Sequence, residues 1–335
     1  MSQPLVLGID GGGSKTLVAL ARADGEIASF AVGGGINPMD QPGWRGELDR
    51  LLAPLATGGL LVGGVAAGMP AYGEIAALSA EQAAAVGAHF AAARQRVVND
   101  VEAAHYGAFA GGSGVLLLAG TGSMVWASDG EGRALRVGGY GEAIGDEGSA
   151  YWIGHEAVAL ASRAIDGRAE AADFLAAFFA YLHLDNGAPQ DALIFWHASL
   201  RHPRSEIAAL AMLVDRLAEA GDASALAILD SAALNLAAHV DAARRRIGAA
   251  ELCWSIAGGA FASRILRERT AALVGSQPLA PRLPPIGGAL LRAARDLDWP
   301  VDEAWIERLA VSIDKSAVLA RNGRNEPFPG WDNHR

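Results

Sequence analysis

An internal repeat constrains the fold of this chain more than any other feature. A strand, a glycine-rich turn, a second strand, an Asp-Gly turn and a third strand follow each other twice, starting near residues 4 and 114. The Asp-Gly turns are Asp24-Gly25 in the first copy and Asp129-Gly130 in the second. An Asp-Gly dipeptide between apolar segments favours a tight hairpin. A repeat of this size predicts two related domains rather than the short units of a solenoid.

Segments of helical and strand character alternate after each opening set of strands. In the first copy, we predict a strand at 60–67, a helix at 79–93 that Ser79 caps, and a strand at 96–99. The second copy is interrupted by a long helical stretch over about residues 150–247 and then resumes with a strand. This alternation is typical of an α/β fold.

Length and pattern together predict two domains and a tail. The 335 residues exceed the size at which one hydrophobic core stops growing. We place the first domain at residues 1–110 and the second at residues 111–320, with the helical insertion inside the second. The last stretch, residues 321–335, is polar with glycine and proline and is predicted to be a loosely ordered tail.

The composition excludes several classes of protein. The net charge of −10 argues against a general nucleic-acid binder, because such proteins carry basic surfaces. No uninterrupted apolar run reaches the ~18 residues that span a bilayer, and no basic leader precedes an apolar segment, so we expect a cytoplasmic protein without a membrane partner. The single cysteine, Cys253, excludes an internal disulfide and any metal site built from paired cysteines of this chain.

The first glycine-rich turn carries the residue types of a phosphate site. Asp10 ends an apolar strand and is followed by the turn 11–16, which contains three glycines and Lys15. Glycines let backbone N–H groups approach a phosphate closely, and a carboxylate at a strand end can hold a hydrated Mg²⁺ beside it. The spacing matches neither the P-loop nor the dinucleotide-binding fingerprint. Taken alone, the segment is also compatible with a hairpin that binds nothing.

Two further glycine-rich turns strengthen the phosphate interpretation. The turn 120–123 has the equivalent place in the second repeat, and two such turns on duplicated domains can clamp one polyphosphate from both sides. Gly258 and Gly259 follow a predicted strand and precede a helix. Small residues at that place let a flat group such as adenine lie against the backbone.

Asp100 permits two interpretations. It follows the predicted strand at 96–99 and precedes a helical pattern over residues 101–110. Aspartate is a preferred N-cap, whose side chain accepts a hydrogen bond from the first helical turn. A carboxylate at this place is also suited to act as a general base at the mouth of a cleft between the two domains. Both roles use the same carboxylate oxygens.

The segment 138–149 is the densest group of unusual residues in the chain. It contains five glycines together with Tyr140, Asp146 and two glutamates. Such a composition does not build a hydrophobic core. It is typical of a binding loop that presents polar groups at fixed positions.

Over nearly its whole length, the chain resembles the BadF/BadG/BcrA/BcrD-type ATPases of the acetate and sugar kinase/heat-shock/actin superfamily, a group that includes N-acetylglucosamine kinase. The resemblance begins in the segment 8–16 and ends in the segment 285–289. Its most specific part is the segment 138–152, which is similar to the amino-sugar kinase signature. Tyr140 departs from the pattern, since the kinases usually carry tryptophan at this place.

The resemblance implies duplicated ribonuclease-H-like domains, as in actin-like ATPases, with a cleft between them and with ATP and Mg²⁺ as cofactors. It assigns the metal to Asp10 and the catalytic base to Asp100. The residues that it implies for the phosphates and the adenosine are Gly12, Gly13, Ser14, Lys15, Thr16, Gly120, Thr121, Gly122, Gly258 and Gly259. The residues that it implies for the sugar are Asn37, Asp100, Gly139, Tyr140, Gly141 and Asp146.

The function expected from this resemblance is ATP-dependent phosphorylation of a small amino sugar, N-acetylglucosamine or glucosamine, at its 6-hydroxyl. The alternative is an ATP-hydrolysing activator or regulator of a protein partner, which needs the phosphate turns but no sugar loop. A monomer and a homodimer both remain open.

Overall fold

The computed structural model describes residues 3–321, so the predicted tail lies outside the described residues except for Arg321, which ends the last helix. The chain divides into two compact units. The first unit contains residues 3–114 and 280–321, and the second contains residues 115–279. Each unit is built on one mixed β-sheet flanked by helices, which confirms the predicted duplicated α/β fold.

The first unit contains a five-stranded sheet. Its strands are β1 (Leu5–Gly11), β2 (Lys15–Ala21), β3 (Ile27–Gly34), β4 (Val62–Met69) and β5 (Arg94–Asn99), in the order β3-β2-β1-β4-β5. The hairpin pairs β1–β2 and β2–β3 are antiparallel, whereas β4 is parallel to β1 and β5 is parallel to β4. The carboxyl ends of β1, β4 and β5 therefore lie at the same edge of the sheet.

Three helices follow these strands: α1 (Trp44–Thr57), α2 (Ala76–His89) and α3 (Asp100–Ala108). The helix α1 was not predicted, because Pro54 interrupts its helical pattern. Four buried leucines nevertheless follow the helical spacing: Leu48, Leu51, Leu52 and Leu55. The structure also corrects the start of α2. Ser79 lies inside this helix and does not cap it, since its hydroxyl donates to the Ile75 carbonyl.

The second unit repeats the opening meander of strands. Its sheet contains β6 (Gly114–Ala119), β7 (Ser123–Ser128), β8 (Ala134–Gly138) and β9 (Trp254–Ala257), in the order β8-β7-β6-β9. The strand β9 is parallel to β6, and β8 is antiparallel to β7. The repeat read from the two Asp-Gly turns is therefore a structural duplication.

The predicted helical insertion consists of α4 (Ala150–Ile165), α5 (Ala172–Leu182), α6 (Pro189–Ser199), α7 (Pro203–Ala209), α8 (Ala211–Glu219) and α9 (Ala223–Ile247). After β9, a short 3₁₀ helix (Gly259–Ala262) leads into α10 (Arg264–Val274). Within the part of the chain that the structure describes, α9 alone is long and apolar enough to cross a membrane. Leu229, Leu236 and Val240 bury one face of α9 in the core of the second unit, which accounts for its apolar character.

The two C-terminal helices, α11 (Pro285–Asp296) and α12 (Glu303–Arg321), pack with the first unit. This differs from the predicted second domain, which extended to residue 320. The physical reason is that glycines let α11 approach β1 and α3 closely. A Cβ on Gly8 of β1 would lie 2.8 Å from Leu290 Cγ, and a Cβ on Gly288 would overlap the Ala103 carbonyl of α3. The helix α11 therefore supports both β1 and α3.

Candidate functional site

Two carboxyl groups lie at the carboxyl edge of the first sheet. Asp10 is near the end of β1, and Asp100 directly follows β5 as the first residue of α3. Burial and, after it, the negative charge of Asp100 together raise the pKa of Asp10 from 3.8 to about 7, while the Lys15 ammonium acts in the opposite direction. Asp10 is paired with Gly68 of β4, and a Cβ on Gly68 would lie 3.3 Å from the Asp100 Cα, so Asp10 and Asp100 are close neighbours and form a carboxyl pair at this edge.

Asn99, and not Asp100, is the N-cap of α3. The Asn99 Oδ1 accepts a hydrogen bond from the Val101 N–H at 3.0 Å, and its amide nitrogen donates to the Tyr72 carbonyl at 3.1 Å. The Asp100 Oδ1 lies 3.0 Å from the same Val101 N–H. The Val101 N–H is thus shared between the two side chains, with Asn99 as the N-cap, and the Asp100 carboxyl group lies at the positive end of the helix dipole.

The first glycine turn presents its backbone to solvent. Gly13, Ser14 and Lys15 are exposed and Gly12 is half-buried, as a phosphate-binding turn requires. Thr16 is fully buried, and its hydroxyl donates to the Gly34 carbonyl at 2.7 Å. The Thr16 hydroxyl proton is therefore used within the fold, and we do not retain this side chain as a phosphate donor.

The segment that carries Asn37 is fixed against the same turn. The Ile36 N–H donates to the Gly12 carbonyl at 3.0 Å, and the Gln41 amide donates to the Gly13 carbonyl at 2.8 Å. A Cβ on Gly35 would overlap the Gly13 carbonyl, so only glycine permits this approach. The loop after β3 and the glycine turn therefore form one surface.

Asn37 uses much of its amide group locally. Its Oδ1 accepts a hydrogen bond from the Met39 N–H at 3.1 Å, and its Nδ2 donates to Asp40 Oδ2 at 2.5 Å. One amide proton and one lone pair remain for a further partner. This arrangement fixes the direction in which the amide points.

In the second unit, the turn Gly120–Gly122 is held by the first residues of α4. The Ala150 N–H donates to the Gly120 carbonyl at 2.8 Å, and the Tyr151 N–H donates to the Thr121 carbonyl at 3.3 Å. The side chain of Ser149 caps α4 by accepting from the Trp152 N–H. Because α4 donates hydrogen bonds to the carbonyls of Gly120 and Thr121, it fixes the conformation of the turn.

Gly258 brings the second glycine pair to the same turn. Its φ angle is +99°, and a Cβ at this position would overlap the Ala119 carbonyl and lie 2.8 Å from the Gly120 N. The region around Gly259 is open, with nothing within 4 Å of a Cβ built on it. The structure thus places Gly258 directly beside Gly120.

We expect Gly258→Ala to destabilise the protein by at least about 2 kcal/mol, because a side chain would meet both backbone strain and overlap with Ala119. Thermal unfolding measures this change. The matched control is Gly259→Ala, which adds the same methyl group in open space and is expected to leave the Tm unchanged. Equal Tm values for the two variants would contradict the packing described here.

The loop 138–148 has the backbone of a tightly wound binding loop. Gly138, Gly139 and Gly141 all have positive φ angles of +72°, +74° and +86°. The Arg136 guanidinium donates to the carbonyls of Gly138 and Gly139 and lies 5.7 Å from the centre of the Tyr140 ring. Tyr140 is 70% exposed, so its ring is presented to solvent on a rigid support.

Asp146 lies deeper than a typical substrate-binding residue. It is 3% exposed and has a φ angle of +60°, which is unusual for a residue other than glycine. A Cβ on Gly122 would lie 2.6 Å from the Asp146 Oδ2, so this carboxylate packs directly against the phosphate turn. Asp146 therefore connects the predicted sugar loop to the predicted phosphate turn within the second unit.

Arg204, which lies on α7 of the insertion, was not among the predicted site residues. One of its terminal nitrogens donates to Asp146 Oδ2 at 3.2 Å, and its Nε lies 3.1 Å from Glu142 Oε2. Arg204 is 58 positions from Asp146 in sequence, so no local spacing indicates the contact. Within the helical insertion, only the three-dimensional structure distinguishes it from other arginines.

The carboxylate pair fits a metal ion that arrives with a nucleotide. Among residues 3–321, no group of three or more His, Cys, Asp or Glu side chains is arranged to hold a metal ion by itself. Mg²⁺ in nucleotide-dependent enzymes is usually held by one or two carboxylates together with substrate phosphates. Asp10, with Asp100 beside it, supplies that number of carboxylates.

Comparison with known proteins places this arrangement in a family. The sequence matches the BadF/BadG/BcrA/BcrD ATPase family over residues 7–293, which is most of the chain. The chain belongs to this family. A relative, the N-acetylmuramic acid/N-acetylglucosamine kinase of Clostridium acetobutylicum, is 30% identical over 257 residues, which cover 71% of this chain and 78% of that protein.

Solved structures agree with this family assignment. A protein described as an N-acetylglucosamine kinase from Chromobacterium violaceum is 25% identical, with a TM-score of 0.64, and the match covers 86% of this chain and 98% of that one. A ROK family glucokinase from Streptomyces griseus, solved with glucose and AMPPNP, is 17% identical with a TM-score of 0.51, over 88% of this chain and 98% of that one. At that identity the glucokinase shows the fold alone.

Proposed function

We propose that this protein transfers the γ-phosphoryl group of ATP to the 6-hydroxyl of N-acetylglucosamine or glucosamine. The protein is an ATP-dependent sugar kinase that acts on a small-molecule sugar, as its family and its kinase relatives support. The observation that carries the finer proposal is the pair Asp10 and Asp100 at the carboxyl edge of the first sheet. Use of ATP is consistent with a cytoplasmic location.

Asp100 acts as the general base in this proposal. It accepts the proton of the sugar hydroxyl as the hydroxyl oxygen attacks the γ-phosphorus. It lies at the start of α3, where Asn99 caps the helix. The residues around Asp100 thus fix the position of its carboxyl group.

Asp10 is proposed to hold Mg²⁺ together with the phosphates of the nucleotide. The ion neutralises phosphate charge, which is the chemistry that phosphoryl transfer requires. The half-buried Gly12 and the exposed Gly13, together with Thr121 and Gly122, are suited to bind phosphate oxygens through backbone N–H groups, while the Gly120 N–H donates to the Gly122 carbonyl. Lys15 adds a positive charge, since it already acts electrostatically on Asp10.

Sugar recognition is proposed to use polar and aromatic groups with fixed orientation. Tyr140 presents an exposed ring that can stack on the apolar face of a pyranose. Arg136 holds the preceding backbone by donating to the carbonyls of Gly138 and Gly139. Asn37 retains one amide proton and one lone pair for sugar hydroxyls.

A kinetic assay of ADP release across a sugar panel tests the proposal. With Mg²⁺ and ATP, we expect turnover with N-acetylglucosamine or glucosamine, with a kcat/KM at least about 10-fold above that for glucose, because the site must distinguish the 2-substituent. Sugar-independent ATP hydrolysis with no phosphorylated sugar would support the ATP-driven regulator instead. Omission of Mg²⁺ is expected to remove activity.

A further inference from the structure

Arg204 connects the helical insertion to the glycine-rich loop of the second unit. Its guanidinium lies between two carboxylates, 3.2 Å from Asp146 Oδ2 and 3.1 Å from Glu142 Oε2. The side chain of Asp146 is 4% exposed and that of Arg204 is 34% exposed. The ion pair is therefore partly shielded from water, where a charge interaction is stronger than at an open surface.

The support of Arg204 is rigid because α7 packs tightly on α4. A Cβ on Gly154 of α4 would overlap the Ile207 carbonyl of α7, so only glycine permits the two helices to approach this closely. Ile207 and Leu210 are buried in the core of the second unit. The packing of α7 thus fixes the position of the Arg204 guanidinium beside Asp146.

Asp146 packs against the phosphate turn Gly120–Gly122. Its carbonyl accepts a hydrogen bond from the Ser149 N–H at 3.1 Å, and its Oδ2 packs against Gly122. Asp146 has a φ angle of +60°, and its side chain is buried against the turn. A change in the charge or orientation of this carboxylate would therefore change the packing at Gly122.

We propose that Arg204 is a positioning residue, which acts through Asp146 to hold the loop 138–148 and the turn Gly120–Gly122 in their binding conformation. The proposal rests on the proposed function, because it assigns to this arrangement the binding of the sugar. The insertion is then a part of the substrate site and not merely an addition to the core.

The protonation of Asp146 provides a signature that a purely structural role lacks. Burial raises the pKa of Asp146, the adjacent Glu142 raises it further, and Arg204 and the backbone of Ser123 lower it. Removal of Arg204 leaves the raising influences of burial and Glu142. The acid limb of the kcat/KM profile for the sugar is therefore expected to move to higher pH in Arg204→Ala.

The kinetic test compares three variants. We expect Arg204→Ala to lower kcat/KM for the sugar by about 10- to 100-fold at pH 7, mainly through KM, with partial recovery at higher pH. Arg204→Lys keeps the charge and is expected to retain most of the activity. The matched control is Arg201→Ala, which removes the same charge from an exposed residue just before α7 and is expected to behave like the wild type.

A stability test separates this proposal from the proposed function. Arg204 stabilises the ionised Asp146, so its contribution is present above the pKa of Asp146 and is lost as the pH falls through it. We expect Arg204→Ala to lower the Tm more at pH 8 than at pH 5, and Asp146→Asn to restore part of the loss in the double variant. Arg201→Ala is expected to show no such dependence.

The outcomes are distinguishable. If the wild type phosphorylates no sugar, the proposed function fails and with it the role of Arg204 in sugar binding. If the wild type is active but Arg204→Ala has an unchanged KM, or a Tm loss that depends neither on pH nor on Asp146→Asn, the positioning role of Arg204 is wrong while the kinase remains.

Discussion

Asp100→Asn is expected to lower kcat by about 10²- to 10⁴-fold, because asparagine cannot accept the hydroxyl proton during the attack on ATP. The KM for the sugar is expected to change little, since the amide occupies the same space and still forms hydrogen bonds. The Tm is also expected to change little, because Asn99 caps α3. Steady-state kinetics with the accepted amino sugar and thermal unfolding measure the three quantities.

The matched control for this variant is Asp302→Asn. The Asp302 side chain accepts a hydrogen bond from the Trp305 N–H at the start of α12, and asparagine is an equally good N-cap. This control changes the same functional group at another helix start and is expected to keep full activity. Near-normal turnover of a folded Asp100→Asn would remove Asp100 as the base.

Asp10→Asn is expected to abolish Mg²⁺-dependent turnover and, at the same time, to stabilise the fold at neutral pH. Burial and the neighbouring Asp100 raise the pKa of Asp10 from 3.8 to about 7, so the ionised carboxylate is unfavourable in the folded protein. Replacing it by a neutral amide removes this penalty. We expect a gain of about 4 kcal/mol at pH 8, because a change in pKa from 3.8 to about 7 corresponds to that free energy at 1.36 kcal/mol per pKa unit.

The pH dependence of this gain has a definite sign. Below about pH 3 the carboxyl group is protonated in both the folded and the unfolded protein, because its ordinary pKa is 3.8, so Asp10 carries no penalty. As the pH rises from 4 to about 7, the unfolded chain ionises while the folded protein resists, and the penalty grows to its full size. The Tm advantage of Asp10→Asn is therefore expected to be small at pH 4 and largest above pH 7.

The exposed Asp24, in the turn between β2 and β3, provides the control for charge removal. Asp24→Asn is expected to change neither activity nor the pH dependence of the Tm. If Asp10→Asn destabilises the protein at pH 8, the carboxylate is held by favourable contacts, and the raised pKa is wrong. If it keeps Mg²⁺-dependent activity, the metal assignment is wrong.

Local sequence signals predicted the parts of the fold that depend on local backbone chemistry. The two Asp-Gly turns were predicted because glycine tolerates the positive φ angles that Gly25 and Gly130 adopt there. The turns at Gly12 and Gly120 were predicted from their clusters of glycines. Asp100 was considered as the cap of α3, and Asn99 was not recognised, although both residue types cap helices equally well and the two are adjacent. Here the neighbouring Tyr72 carbonyl, which fixes the Asn99 amide, is a tertiary feature.

Features that depend on tertiary packing were not predictable. Arg204 comes from a helical insertion and meets Asp146 only in the folded unit. The assignment of α11 to the first unit follows from the contact of Gly288 with α3, and one glycine in a helix gives no indication of its partner. The buried hydroxyl of Thr16, which donates to Gly34, likewise has no signal in the glycine-rich motif.

The most direct test of the proposed function is the position of the phosphate on the product. The protein is incubated with ATP, Mg²⁺ and N-acetylglucosamine, and the product is analysed by phosphorus-coupled NMR, in which coupling to the protons on C6 identifies the phosphorylated oxygen. We expect one product with phosphate on the 6-hydroxyl, formed by the wild type and not by Asp100→Asn. Phosphate on another hydroxyl, or hydrolysis of ATP without a sugar phosphate, would contradict the proposal.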